Sequence, residues 1–336
     1  MAAGLVKESS LNKHLPLKVA AGLVLLFAAL LAANFMLNGY HLRILNLVGI
    51  NIILVVSLNL TNGFTGIFSL GHSAFMAIGG YTVALLAMPL ARKAVYLPDL
   101  PAFIGQISLP FLPALMIAGL IAVVFAYIIG YPVLKLRGHY LSVATLGFMV
   151  IVTVFIMNFR DITRGNSGLT GLVAHTNLWW TYAVAVITIY AIWRILNSAY
   201  GRAMLAIRED DLAAEAVGVN LVKIKLMSFA IGAFFAAVGG ALYGHLLTMV
   251  SPNDFSYSMM FGLVVMLVIG GNGSIPGSII GATIVTLLPE LFLNKLERGF
   301  DLFGIHLPQM FGVSQVLMSI ALILIMIFKP KGLLGK

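Results

Sequence analysis

No cysteine occurs among the 336 residues. That removes disulfides, Cys-ligated zinc and thiol nucleophiles. Charge is also scarce. Only 9% of residues are Asp, Glu, Lys or Arg, against about 25% in soluble domains. With 61% hydrophobic residues, a water-soluble chain could not cover its own core, so the solvent is lipid. The eleven acidic residues all fall outside the long apolar runs, with Glu290 at the end of one. Carriers driven by protons or sodium usually hold a carboxylate inside the membrane, although some bind sodium through backbone carbonyls. The shortage counts against such a carrier. It also counts against a membrane enzyme with paired carboxylates. No Gly-x-x-x-x-Gly-Lys-Ser/Thr is present, so any nucleotide that drives the protein binds on another chain. No His-x-x-Glu-His cluster suggests a metal. The net charge of +9 forms no basic face for nucleic acid, because the cations sit in short inter-span loops.

What is present is a series of apolar runs. About ten reach or approach the roughly 20 residues that cross a bilayer: 19–37, 44–60, 74–90, 111–134, 139–158, 177–197, 224–248, 257–271, 275–290 and 312–328. The first follows Lys7, Lys13 and Lys18. It exceeds the apolar region of about 7–15 residues in a signal peptide, so we read it as a span. With ten spans and an inside N-terminus, thirteen Lys and Arg fall inside and seven outside. Inside are Lys7, Lys13, Lys18, Lys135, Arg137, Arg194, Arg202, Arg208, Lys223, Lys225, Lys329, Lys331 and Lys336. That bias predicts cytoplasmic termini. Trp179, Trp180 and Tyr182 at one end of a span and Trp193 at the other form an expected interfacial belt.

Two glycine-rich stretches interrupt the apolar pattern. Residues 62–73 (NGFTGIFSLGHS) separate two spans. Their glycines permit close backbone approach or a broken helix. The residues alone allow either a re-entrant element beside a translocation path or a tight turn with small-residue packing. Residues 270–277 (GGNGSIPG) break helix by backbone entropy and a missing proline N–H. Asn46, Asn51, Ser57 and Asn59 place polar groups in the second span. Asn51 and Asn59 lie within about 80° of each other on a helix. They form either a pore-lining face or a set of interhelical hydrogen bonds. His72, His139 and His245 sit near span ends and read as interfacial groups.

One segment breaks the shortage of charge. Residues 201–225 hold Arg202, Arg208, Glu209, Asp210, Asp211, Glu215, Lys223 and Lys225, eight of the chain's 31 charged residues. Its alanines favour helix, and Gly218 is a natural terminator. Arg208 with Asp210 or Asp211 would add a weak local pair. Glu209 interrupts the apolar stripe of Leu205, Leu212 and Ala216. A helix lying on a membrane needs a clean apolar face, so this segment is expected to contact protein. The bland alternative is a solvated connecting loop.

Seven stretches, taken in order, resemble one family. They are residues 62–81, 136–146 (LRGHYLSVATL), 166–172 (NSGLTGL), 201–220, Ser251-Pro252, 270–281 and 329–335 (KPKGLLG). The chain resembles the LivM-type inner-membrane permease subunits of ATP-binding-cassette importers for branched-chain amino acids. The family extends to urea permeases, so urea or short amides are the alternative substrates. The resemblance implies an all-α polytopic fold of about ten membrane helices with broken or re-entrant Gly-rich segments. It implies a cytoplasmic N-terminal segment (1–18), one permease domain (19–328) and a cytoplasmic tail (329–336) in the bacterial inner membrane. The implied partners are cytoplasmic ATPase subunits carrying ATP and magnesium, a LivH-like second permease, and a periplasmic or lipid-anchored binding protein. No cofactor is expected in this chain. A short cytoplasmic loop docks on the ATPase in such permeases. Here it corresponds to 198–223, with Arg202, Arg208, Glu209, Asp210, Asp211, Glu215 and Gly218 as its candidate residues. Asn51, Asn59, Asn62, Ser69 and His72 are the candidates for the translocation path.

Overall fold

Each of the ten apolar runs carries a helix in the computed structural model, which describes residues 22, 24–136, 139–290, 301–302, 305–306, 313–329 and 331–335. The N-terminal segment 1–18, with Arg137, Lys295, Arg298 and Lys336 of the orientation argument, lies outside the described residues. Residues 1–45 and 46–336 form two compact units. The first contains α1, Val24–Met36, and the start of α2, Gly39–Asn59.

In the second unit α2 widens into a π-helical turn, Leu60–Phe64. Then follows α3, His72–Ala87, which bends by 114° into α4, Leu90–Tyr96. The short α5, Ala102–Gly105, leads to α6, Phe111–Val133. Next come α7, His139–Asn158, and the one-turn α8, Arg160–Thr163. The strand β1, Leu169–Thr170, precedes α9, Leu178–Leu196. The charged segment forms α10, Ala199–Glu209, and α11, Asp211–Ala216. The long α12, Leu221–Leu247, ends at β2, Met249–Val250. A hairpin of α13, Tyr257–Gly270, and α14, Ile275–Leu288, follows. Two further strands, β3 (Asp301–Leu302) and β4 (Ile305–His306), and the helix α15, Val313–Phe328, complete the described chain.

Six helices among the described residues are long and apolar enough to cross a membrane, or seven if the bent α3–α4 pair is one span. The shorter α1 and α14 are also apolar. The fold is all-α apart from two-residue strand pairs. β1 and β2 pair antiparallel with Leu169 opposite Val250, and β3 pairs with β4. Strands of two residues are too short to leave an alternating pattern in the sequence.

The core is built from small residues. Ala114, Ala118, Ala122, Ala126 and Gly130 recur every fourth position of α6 and are all buried. This flat ridge accepts aromatic rings from α12: Phe234 covers Gly119, and Phe229 covers Gly130. Between α3 and α12 the backbones meet directly. A Cβ on Gly79 would run into the Ala237 backbone, and one on Gly240 into the Met76 backbone. Lipid supplies no hydrophobic drive between helices, so close van der Waals approach replaces it. The central helix is α2. Its apolar window is 89% buried, against 33% for α6, α7 and α9. The exposed faces of those outer helices carry Leu120, Val124, Ile128, Ile151 and Phe155, as lipid contact requires.

Candidate functional site

The two glycine-rich breaks lie against each other. Asn59, at the end of α2, is fully buried. Its Nδ2 donates to Ser278 Oγ at 2.7 Å and to Ser274 O at 3.1 Å. Gly273 N–H donates to its Oδ1 at 2.9 Å. A Cβ on Gly63 would stand 2.6 Å from Gly273 N. Only glycine permits that approach between the α2–α3 and α13–α14 connections. Gly271 and Gly273 have φ of +116° and +74° and make the sharp turn between α13 and α14. Ser274 then caps α14 by accepting from Gly277 N–H at 3.2 Å. The adjacent Ile275-Pro276 opens the helix, because proline near a helix start gives up an N–H that has no intrahelical partner there.

Thr65 N–H still donates to Leu60 O at 3.2 Å and Ile67 N–H to Thr61 O at 3.0 Å, but the chain then leaves the helical ladder, and in a membrane its backbone groups need protein partners. Asn62 and Ser69 close the turn reciprocally: Asn62 Nδ2 donates to Ser69 O at 3.0 Å, and Ser69 N–H donates to Asn62 Oδ1 at 3.2 Å. Two hydroxyls of α7 supply further partners. Ser142 Oγ donates to Phe68 O at 2.6 Å, and Leu70 N–H donates to Thr145 Oγ1 at 3.0 Å. Nothing in the sequence marks these two beyond hydroxyls three residues apart on one helical face. His72, buried at the start of α3, lies 3.0 Å from Ser57 Oγ, which itself donates to Leu54 O. A hydroxyl has one proton, so His72 Nε2 is the donor of this pair.

Asn51 stands apart from the break, two turns earlier on α2. Its Nδ2 donates to Thr286 Oγ1 on α14 at 2.8 Å. Thr181 Oγ1 of α9 donates to Asn46 Oδ1 at 2.7 Å. The polar residues of the second span are thus bonded across helices in this conformation.

The charged segment hangs at the same break. Its two helices part at Asp210, whose carboxylate accepts from Leu212 and Ala213 N–H at 2.8 and 3.0 Å. Aspartate is a strong N-cap, and its charge also suits the helix N-terminus. The local partner of Arg208 is Glu209, with Nε 3.9 Å from Oε1, while Asp210 serves as the cap and Asp211 goes to Lys225 of α12, 2.6 Å away. α11 closes on Gly218, which has φ +86°. Gly218 N–H donates to Glu215 O at 2.9 Å and Val219 N–H to Ala214 O at 3.0 Å, the double bond pattern of a Schellman end. Met204, Ile207 and Ala214 face inward. Arg202, Glu209, Asp210, Leu212, Glu215 and Val217 are exposed. Neighbouring exposed charge and apolar surface on one corner suits a protein partner better than water alone.

Arg208 turns the other way. Its Cα lies 3.2 Å from where a Cβ on Gly66 would be, and a Cβ on Gly273 would overlap its guanidinium. A cavity of about 560 Å³ opens between this residue, the 66–68 turn and Ser142. The C-terminal tail backs the junction. Leu333 and Leu334 N–H donate to Ile269 and Gly270 O at 2.9 and 3.0 Å, capping carbonyls that the end of α13 leaves free. Among the described residues no group of three or more His, Asp or Glu side chains could hold a metal.

The family described as the permease component of branched-chain amino acid transport systems matches residues 40–328. The chain is 30% identical to the high-affinity branched-chain amino acid transport system permease protein LivM of Escherichia coli, over 93% of this chain and 74% of that protein. Its identity to the probable LivM of Methanocaldococcus jannaschii is 23%, over 85% of this chain and 90% of the relative. It is also 23% identical to the E. coli permease protein LivH, over 84% of this chain and 91% of that one. No solved structure matches it. Six or seven described helices long and apolar enough to cross a membrane, two broken segments and a match over most of the length converge: the chain belongs to the branched-chain amino acid transport permeases, as a LivM-like, multi-pass and non-catalytic membrane component.

Proposed function

We propose that this chain is one of two membrane subunits of an ATP-driven importer in the bacterial inner membrane, and that leucine, isoleucine and valine cross through the pair. The observation that carries the reading is the exposed α10–α11 corner packed onto both glycine-rich breaks. A cytoplasmic ATPase subunit docks on its outward charges. A LivH-like permease completes the pair, and an external binding protein delivers substrate. The Lys and Arg bias supports cytoplasmic termini. The packing of tail residues 332–335 at the junction that meets Arg208 supports the same side for the C-terminal tail and the α10–α11 corner.

In this mechanism ATP closes the paired ATPases, the α10–α11 corner follows them, and the helix bundle exchanges its open side. The chain supplies no reactive group. The proposed path follows the α2 face with Asn51 and Asn59 and the turn containing Asn62, Ser69 and His72. Their polar groups bond within the chain here, so opening that path requires partner exchange rather than bare desolvation.

The test is uptake of labelled leucine into proteoliposomes holding both permeases, with ATPase, binding protein and ATP added in turn. Uptake is expected only with all of them. Uptake without any ATPase points to a gradient-driven carrier and ends the reading. Preference for urea over leucine ends the substrate assignment.

A further inference from the structure

We propose that Arg208 is a positioning residue that carries movement of the α10–α11 corner into both glycine-rich breaks at once. This rests on the coupling role given to that corner above. Within the corner, Arg208 is set apart by direction. Its side chain is 27% exposed, whereas the neighbouring Glu209, whose Oε1 reaches to 3.9 Å from Arg208 Nε, is 79% exposed. Glu215 on α11 is exposed as well. A residue serving only to dock a partner would point outward with them.

The two surfaces it meets belong to different parts of the chain. Gly66, with φ +73°, lies in the connection from α2 to α3. Gly273, with φ +74°, lies in the turn from α13 to α14. Positive φ is open to glycine at little cost and to other residues at about 1–2 kcal/mol. At both positions a side chain would also invade Arg208: its Cα and Cβ at Gly66, its Nη1 at Gly273. Both bare turns leave room for the same side chain. Gly63 meets Gly273 beneath it, so the turns are joined to each other as well as to the arginine. A shift of α10 therefore takes both turns with it or loses both contacts. A planar guanidinium has five N–H donors in a fixed fork and can serve two backbone turns at once. A lysine ammonium is a compact point charge on a flexible stem.

The experiment uses the whole reconstituted complex and compares Arg208→Ala, Arg208→Lys and the outward pair Glu209→Lys/Glu215→Lys. Three quantities are read: ATPase retained by the permease, basal ATP hydrolysis, and its stimulation by loaded binding protein. Arg208→Ala should retain ATPase and basal hydrolysis but lose stimulation about fivefold or more, the lower end of ordinary coupling energies. Arg208→Lys should restore little. Loss of ATPase binding in Arg208→Ala, matching the outward pair, would make it a docking residue and overturn the proposal. Full stimulation in Arg208→Ala would overturn it too. A wild-type complex whose transport ignores ATP would instead show that the coupling role itself is wrong.

Should Arg208→Ala fail to fold, a distance measurement decides the matter with Arg208 in place. The chain has no cysteine, so Tyr200→Cys and Phe68→Cys accept spin labels without background. Both positions are exposed, one on α10 and one in the α2–α3 turn. Their separation should stay constant between nucleotide-free and ATP-bound states. A change of about 5 Å, one helical turn, would mean that α10 slides past the turn and would overturn the proposal.

Discussion

Gly273 N–H donates to Asn59 Oδ1 across 2.9 Å, joining residues 214 positions apart. This bond and the two that Asn59 Nδ2 donates to Ser274 O and Ser278 Oγ hold the broken end of α2 to the start of α14. The amide is fully buried, so nothing in water replaces these bonds when they are lost.

Asn59→Ala should therefore cost about 1–3 kcal/mol for each backbone or hydroxyl group left without a partner. Asn51→Ala removes one interhelical bond, worth about 0.6 kcal/mol on average in membranes. Thermal unfolding of the detergent-solubilised protein should rank Asn59→Ala well below Asn51→Ala. Equal melting points would show that the Asn59 bonds do not hold the junction.

Gly240→Ala should loosen the bundle, because its Cβ would enter the Met76 backbone. Backbone atoms cannot yield as a side chain tip does, and overpacking costs about 1–3 kcal/mol. Gly147→Ala is the matched control, since its Cβ would find no heavy atom within 4 Å. The first should lower the detergent melting point and the second should leave or raise it. The reverse order contradicts the α3–α12 contact.

The Asp211–Lys225 pair joins α11 to α12 at 2.6 Å, with side chains 39% and 15% exposed. Partial exposure limits such a pair to about 1 kcal/mol, so Lys225→Ala should leave the fold intact. It should instead free the corner and reduce substrate-stimulated ATP hydrolysis. The exchange Asp211→Lys/Lys225→Asp should recover much of that loss. Failure of the exchange, with either single variant unaffected, would remove the pair from the mechanism.

Deleting residues 332–336 should uncap the α13 carbonyls of Ile269 and Gly270, which accept from Leu333 and Leu334. Amide hydrogen exchange is expected to rise at the 270–274 turn and to stay unchanged in α6. Unchanged exchange at the turn would show that the tail is not a brace.

Much of this was legible in the sequence because lipid imposes simple rules. Apolar length located a helix in each of ten runs, the shortage of charge elsewhere singled out residues 201–225, and Gly218 marked a helix end. The local rules failed where a partner lies far along the chain. Asp211 was expected to meet Arg208 within one helical turn, but it meets Lys225 fourteen residues on. Asp210, in sequence a possible partner of Arg208, instead splits the segment into two helices by capping. The amides of α2 left a choice between pore and packing, since Thr286 and Ser278 are invisible from α2 itself. The roles of Ser142 and Thr145 depend on backbone that only folding brings to them. The alanine ladder of α6 repeats every four residues, but nothing in that repeat names its partner rings on α12.

The account stands or falls on the outward charges of the α10–α11 corner. The most direct measurement is the amount of ATPase that copurifies with Glu209→Lys/Glu215→Lys, together with ATP-driven leucine uptake by the same complex. The account predicts a folded permease that retains little ATPase and imports little leucine. Normal ATPase retention with normal uptake would contradict it.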